Sequence, residues 1–144
     1  MAENEITFDT GKSVLSADEL GHIQPGMAEI MPLIGARIWK CYYAGKAKNR
    51  ELAKFQLKEA VNLMEKGVLL RPKYTDNMYK FIEEECAVLS KCIDAEDWDG
   101  FEASFEAMVD AANAYHEVYD KGFLVWKVPA DPPPDLVMEP RNRK

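Results

Sequence analysis

The chain has 144 residues, a formal net charge of −7, and is 47% hydrophobic and 30% charged. That length suits one domain with a real core, and the apolar content excludes an intrinsically disordered chain. An acidic domain repels phosphate backbones and anionic lipids, so neither nucleic acid nor a membrane surface is an expected partner.

The only basic cluster is Arg141, Arg143 and Lys144 at the end of the chain, read as a solvated tail. No apolar run reaches bilayer-spanning length. The polar, acidic stretch from Met1 to Ser13 has none of the features of a secretory signal, so the expected location is cytoplasmic. Cys41, Cys86 and Cys92 make an odd count without CxxC spacing. They are expected to be buried free thiols, and neither a disulfide framework nor a zinc site is expected.

Residues 1–15 read as a flexible or loosely docked arm. Ser16-Ala17-Asp18-Glu19 is a capping box, since the serine hydroxyl can cap the glutamate N–H and the carboxylate can reach back. Apolar residues then fall at Leu20, Ile23, Met27, Ile30, Ile34, Ile38 and Cys41, in helical steps of three and four. Pro25 and Pro32 predict a kink or a late true start near Pro25, and Ala44-Gly45 predicts the end, with glycine in the left-handed cap.

Asn49 or a neighbour opens the second helix, whose buried stripe is Leu52, Phe55, Glu59 or Ala60, Leu63 and Met64. Pro72 stops it. Thr75 or Asp76 opens the third, with Met78, Phe81, Ile82, Cys86 or Glu85, Leu89, Cys92 and Ile93 in step. The fourth carries the clearest period, with Trp98, Phe101, Phe105, Met108, Ala112, Tyr115 and Tyr119, and is expected to end at Lys121-Gly122.

Four amphipathic helices with short connections predict an all-α, antiparallel four-helix bundle over residues 16–122, with neighbours crossing at about 20°. Residues 123–144 are expected to form an extended, Pro-rich C-terminal strap and tail. Pro132-Pro133-Pro134 forbids helix there, and Phe123 or Trp126 is expected to tuck against the bundle.

Near the end of the fourth helix, Ala111-Ala112-Asn113-Ala114-Tyr115-His116 resembles the CxxCH segment of the cytochrome c-prime family. Ala112 and Tyr115 stand where the two cysteines would be, and His116 keeps the histidine. The Asp97-Trp98 turn and the aromatic positions Phe101 and Phe105 before the motif are similar to the family's context. The resemblance implies a four-helix bundle that often dimerises through its early helices. Without the two thiols it implies a haem-free relative whose former haem region has been refilled or reused.

His116 then has three readings. It is an axial ligand for non-covalent haem, a general base or positioning group in a pocket, or a histidine placed by the dipole at a helix C-terminus. Glu19 and His22 have the ExxH spacing of di-iron bundles, but Asn113 stands where a second copy would need glutamate before His116. No metal or cofactor is expected. Arg37 lies beside the buried stripe of the first helix, with Glu59 its expected partner or an anionic ligand the alternative. Tyr42, Tyr43, Tyr79, Tyr115 and Tyr119, together with Trp39, read as the lining of an aromatic cavity or, more commonly for such residues, as core or dimer interface.

These residues lead to a bundle that binds a small organic ligand in the former haem region, or acts there as a cofactor-independent enzyme. His116 and Tyr115 are the candidate catalytic residues, and Arg37 and Tyr42 the candidate ligand-binding ones. The alternative is a structural or interaction protein, a homodimer whose helix-one stripe, including Trp39, packs on its mate.

Overall fold

In a computed structural model, residues 5–141 are described. The first four residues of the expected arm and the tail residues Arg143 and Lys144 lie outside the described residues. The chain is mostly helical, with a small two-stranded sheet. No helix among the described residues is long and apolar enough to cross a membrane.

The N-terminal segment, expected to be a flexible or loosely docked arm, holds an antiparallel hairpin. Strands β1 (Thr7–Asp9) and β2 (Val14–Ser16) pair Phe8 with Leu15. Gly11, at φ 78, supplies the left-handed residue of the turn. The Asp9 carboxylate and the Thr10 hydroxyl accept turn N–H groups at 2.8 and 3.1–3.3 Å.

Ser16 caps the short helix α1 (Ala17–Ile23) through the expected capping box. Its hydroxyl accepts from the Glu19 N–H at 3.1 Å, and the Glu19 carboxylate accepts from the Ser16 N–H at 3.0 Å. Glu19 is thus held by the helix start, and His22 of the ExxH spacing is exposed.

The chain breaks at Gln24-Pro25, and the long helix α2 (Met27–Lys46) starts just beyond, as the late-start reading requires. Pro32 lies in its second turn, where its missing N–H removes one intrahelical bond, that to the Ala28 carbonyl. Helix α3 (Arg50–Leu70) is capped by the Asn49 side chain, which accepts from the Leu52 N–H at 3.1 Å.

A 3-10 turn (Pro72–Tyr74) leads to α4 (Thr75–Phe81), a π-helical turn (Ile82–Cys86) and α5 (Ala87–Asp94). The widened turn sends the Ala87 N–H to the Ile82 carbonyl. Its extra residue brings Cys86 inward and leaves Glu85 only half-buried, which spares the core a carboxylate. Helix α6 (Trp98–Val118), capped by Asp97, completes the set.

The core joins Ile34 and Ile38 of α2, Ala60 and Met64 of α3, Leu89 and Ile93 of α5, and Phe101, Phe105 and Met108 of α6. The stripe expected on α3 is rotated. Ala53, Gln56, Leu57, Ala60 and Met64 face inward, while Phe55 is 50% exposed. Small residues explain the shift, because Ala53 and Ala60 let α3 lie close to α2 where Phe55 would hold it away.

Three helices end in the same way, and none uses the expected glycine. Lys48, Glu96 and Asp120 take left-handed φ values of 57°, 54° and 59°. In each case the next N–H reaches back to a carbonyl of the last turn: Asn49 to Ala44, Asp97 to Cys92 and Lys121 to His116. Gly45 is instead a buried helical residue packed on Phe101.

Beyond Val118 residues 121–141 carry no helix or strand. They lie on α2 and α6 at specific points. Trp126 packs edge-on against Trp39 at 5.3 Å, the Pro129 carbonyl accepts from the Tyr43 hydroxyl, and Asp135 pairs with Lys40 at 2.6 Å. The Met138 carbonyl accepts from Asn49 at 3.0 Å, and the Met138 side chain is buried. Of the two expected anchors, Trp126 packs on the core and Phe123 stays 77% exposed.

Candidate functional site

A cleft of about 620 Å³ opens where the start of α2, the start of α4 and the end of α6 meet the segment 121–126. Each wall follows from the fold just described. The break at Pro25 starts α2 late enough for Met27 and Met31 to face the opening, and Gly35 lies against the Trp39 and Trp126 rings. Helix α3 contributes Met64 to the floor, and α4 contributes Met78 and Phe81. The last two turns of α6 supply Ala112, Tyr115 and His116, its C-cap residue Tyr119 follows, and the outer wall is Phe123 to Trp126.

Two side chains of α6 hold that outer wall. Asn113 grips the backbone of Trp126 in both directions, accepting its N–H at 2.6 Å and donating to its carbonyl at 3.0 Å. One amide side chain thereby supplies what a neighbouring strand would, on a segment with no strand beside it. His116 Nδ1 lies 2.7 Å from the Leu124 carbonyl. A carbonyl oxygen only accepts, so Nδ1 carries a proton, and in the neutral form of the ring Nε2 is left as the acceptor. The half-buried imidazole also stands edge-on to Trp126 at 5.8 Å.

The polar groups of the cleft are few. Asn77 donates to the Tyr119 hydroxyl at 2.8 Å, and Tyr119 packs edge-on to Tyr74 at 4.6 Å. Because the Tyr119 oxygen accepts from Asn77, its own proton remains to be donated elsewhere. Tyr115 stacks edge-on with Phe81 at 6.3 Å. Lys121 is the single Lys, Arg, Asp or Glu among the lining residues.

The four candidate site residues divide evenly. His116 and Tyr115 line the cleft. Arg37 and Tyr42 do not. Arg37 donates to Gln56 at 3.1 Å and covers the exposed Phe55 ring at 5.7 Å, so its partner is a buried amide and not Glu59. Gln56 is 1% exposed, and this bond is what makes its burial tolerable. Tyr42 packs on Phe105 at 4.7 Å and on Tyr43 at 5.0 Å, on the far side of Trp39 along α2. Trp39, the residue of the homodimer alternative, is half-buried and packs on both Phe105 and Trp126.

The residues that the sequence reading missed are Met27, Met31, Asn77 and Lys121. Methionines at Met27 and Met31 share a helix face with Ile34, which gave a signal, but periodicity cannot tell a cleft wall from a core. Asn77 and Lys121 gave none, because their importance depends on which elements meet.

The cysteines are free. Burial pushes the Cys86 thiol up to about 12 and raises Cys41 further, so neither is a nucleophile near neutral pH. Among the described residues no group of three or more His, Cys, Asp or Glu side chains is placed to hold a metal ion.

No family model matches this chain, and no curated protein or solved structure matches it.

Proposed function

We propose that this chain is a haem-free, cytochrome c-prime-like antiparallel four-helix bundle, closed by its C-terminal strap, that binds a small organic ligand in the cleft beside His116. The observation that carries the reading is the cleft itself. At about 620 Å³ it has the size of small-molecule sites, which run from about 300 to 1,000 Å³. Its walls are apolar and its polar groups few, which is how such sites combine affinity with orientation. Methionines on three of its walls suit a site that adapts to its occupant.

Two further features support the reading. The cleft lies at Ala112, Tyr115 and His116, the positions at which the resemblance places the cofactor. With Nδ1 of His116 engaged by Leu124, Nε2 of the neutral ring is the nitrogen left to act on a bound molecule, as a hydrogen-bond acceptor or a proton acceptor. The same free nitrogen favours a second reading, non-covalent haem ligated by His116.

The test is binding of 1-aminoanthracene, a neutral apolar fluorophore, to the wild type and to Ala28→Trp. Ala28 is an exposed residue on the rim, so the indole should block the cleft without disturbing the core. One-to-one binding that Ala28→Trp abolishes supports the proposal. Absence of binding, or binding that the variant leaves intact, defeats it. In parallel, a sharp Soret band on adding haemin, lost in His116→Ala, would replace the first reading by the second.

A further inference from the structure

The cleft has a chemical polarity that its volume does not reveal. Every fixed charge of its lining sits on one residue, Lys121, and that charge is positive in a chain whose net charge is −7. Among the described residues Lys121 forms no ion pair, and its ammonium group is 6.0 Å from the Phe123 ring centroid at the mouth. On the same lining the hydroxyl of Tyr119, with its oxygen engaged by Asn77, has a proton to give. No carboxylate lines the cleft to satisfy either donor. Deeper in, the walls are Met31, Ile34, Met64, Met78 and Phe81, which offer an occupant nothing but apolar surface.

We infer that the ligand is a monoanionic amphiphile, an apolar chain or ring system ending in one carboxylate, seated with its body among the methionines and its head at Lys121 and Tyr119. This rests on the proposal that the cleft is a ligand site. The physical argument is complementarity. A carboxylate is an acceptor for either donor and gains a charge-assisted bond from the ammonium. An alcohol head would gain only a neutral bond, and an amine head would set two cations together. A dianionic head is disfavoured, because the rest of the acidic chain repels a second negative charge that no second cation offsets.

The experiment is displacement of bound 1-aminoanthracene by three compounds of one chain length, dodecanoate, dodecanol and dodecylamine, below their micellar concentrations. Dodecanoate should bind about tenfold or more tighter than dodecanol, the worth of one charge-assisted hydrogen bond, and dodecylamine most weakly. In Lys121→Met, dodecanol should bind as before, while dodecanoate loses its advantage. Lys121 is exposed and outside the core, so the variant should fold, and its retained affinity for 1-aminoanthracene reports that it has.

Equal binding of dodecanoate and dodecanol by the wild type overturns this inference and leaves the cleft a ligand site. So does a preference for dodecylamine, or a carboxylate preference that survives Lys121→Met. Failure of 1-aminoanthracene itself to bind overturns the ligand site and this inference with it.

Discussion

At Gly45 the requirement is space. A Cβ there would lie 2.2 Å from a ring carbon of Phe101, which is fully buried and hemmed in by Trp98 and Phe105. Gly45→Ala should therefore cost about 2–3 kcal/mol as an overpacked core position, read as a shift in the urea midpoint. Lys48, three residues on, is the reverse case. It holds a left-handed φ of 57° with its side chain in solvent, so removing the Cβ relieves strain at no contact cost. Lys48→Gly should stabilise the fold by roughly 0.5–1 kcal/mol, and the same urea titration measures it. The sequence points to a glycine cap near Ala44-Gly45 because glycine is the usual left-handed residue. Which of two neighbouring positions turns left-handed depends on where Phe101 needs room, and that is a tertiary fact.

At the scale of elements, helix starts were more legible than helix faces. The capping residues Ser16, Asn49 and Asp97 act locally, and a hydroxyl, amide or carboxylate that bonds the N–H three residues on can be read from a few letters. The face of α3 is not legible by period, because Phe55 looks like core, whereas the inward side is built from Ala53, Gln56 and Ala60. A buried glutamine becomes readable only once Arg37 is known to lie opposite. The ambiguity between Glu85 and Cys86 had a similar origin, since a π turn breaks the period on which the reading relies. Asn49 joins two elements, capping α3 and bonding the Met138 carbonyl with the same side chain. Asn49→Ala should cost about 1–2 kcal/mol, at the upper end for an N-cap. Amide exchange should also quicken around residues 136–140, an effect that a plain cap mutation would not have.

For the molecule as a whole, the candidate site was half legible. Tyr115 and His116, the positions of the CxxCH-like segment, both line the cleft, whereas Arg37 and Tyr42 have suitable chemistry but are turned by α2 toward Gln56 and Phe105. The role of residues 121–126 as the cleft's outer wall was hidden, because it depends on Asn113 and His116 catching a segment with no periodicity of its own. The C-terminal segment beyond that wall is held by bonds of two kinds, and acid separates them. Asn113, Tyr43 and Asn49 hold backbone groups through neutral donors and acceptors, whereas Asp135 is held by Lys40 through charge. The hydrogen bond from Lys40 keeps the Asp135 carboxyl below its ordinary value of 3.8. A lowered folded value means that the pair's contribution is complete above the ordinary value and is lost as pH falls through the lowered one. The exposed pair contributes little to global stability, so the effect should be local. Below about pH 3.8, amide exchange should quicken around residues 133–137 while Trp126 stays protected. Asp135→Asn should give the same pattern at neutral pH. Simultaneous loss of protection at Trp126 and Asp135 would show instead that the segment releases as one piece and that the Asn113 clip does not hold independently.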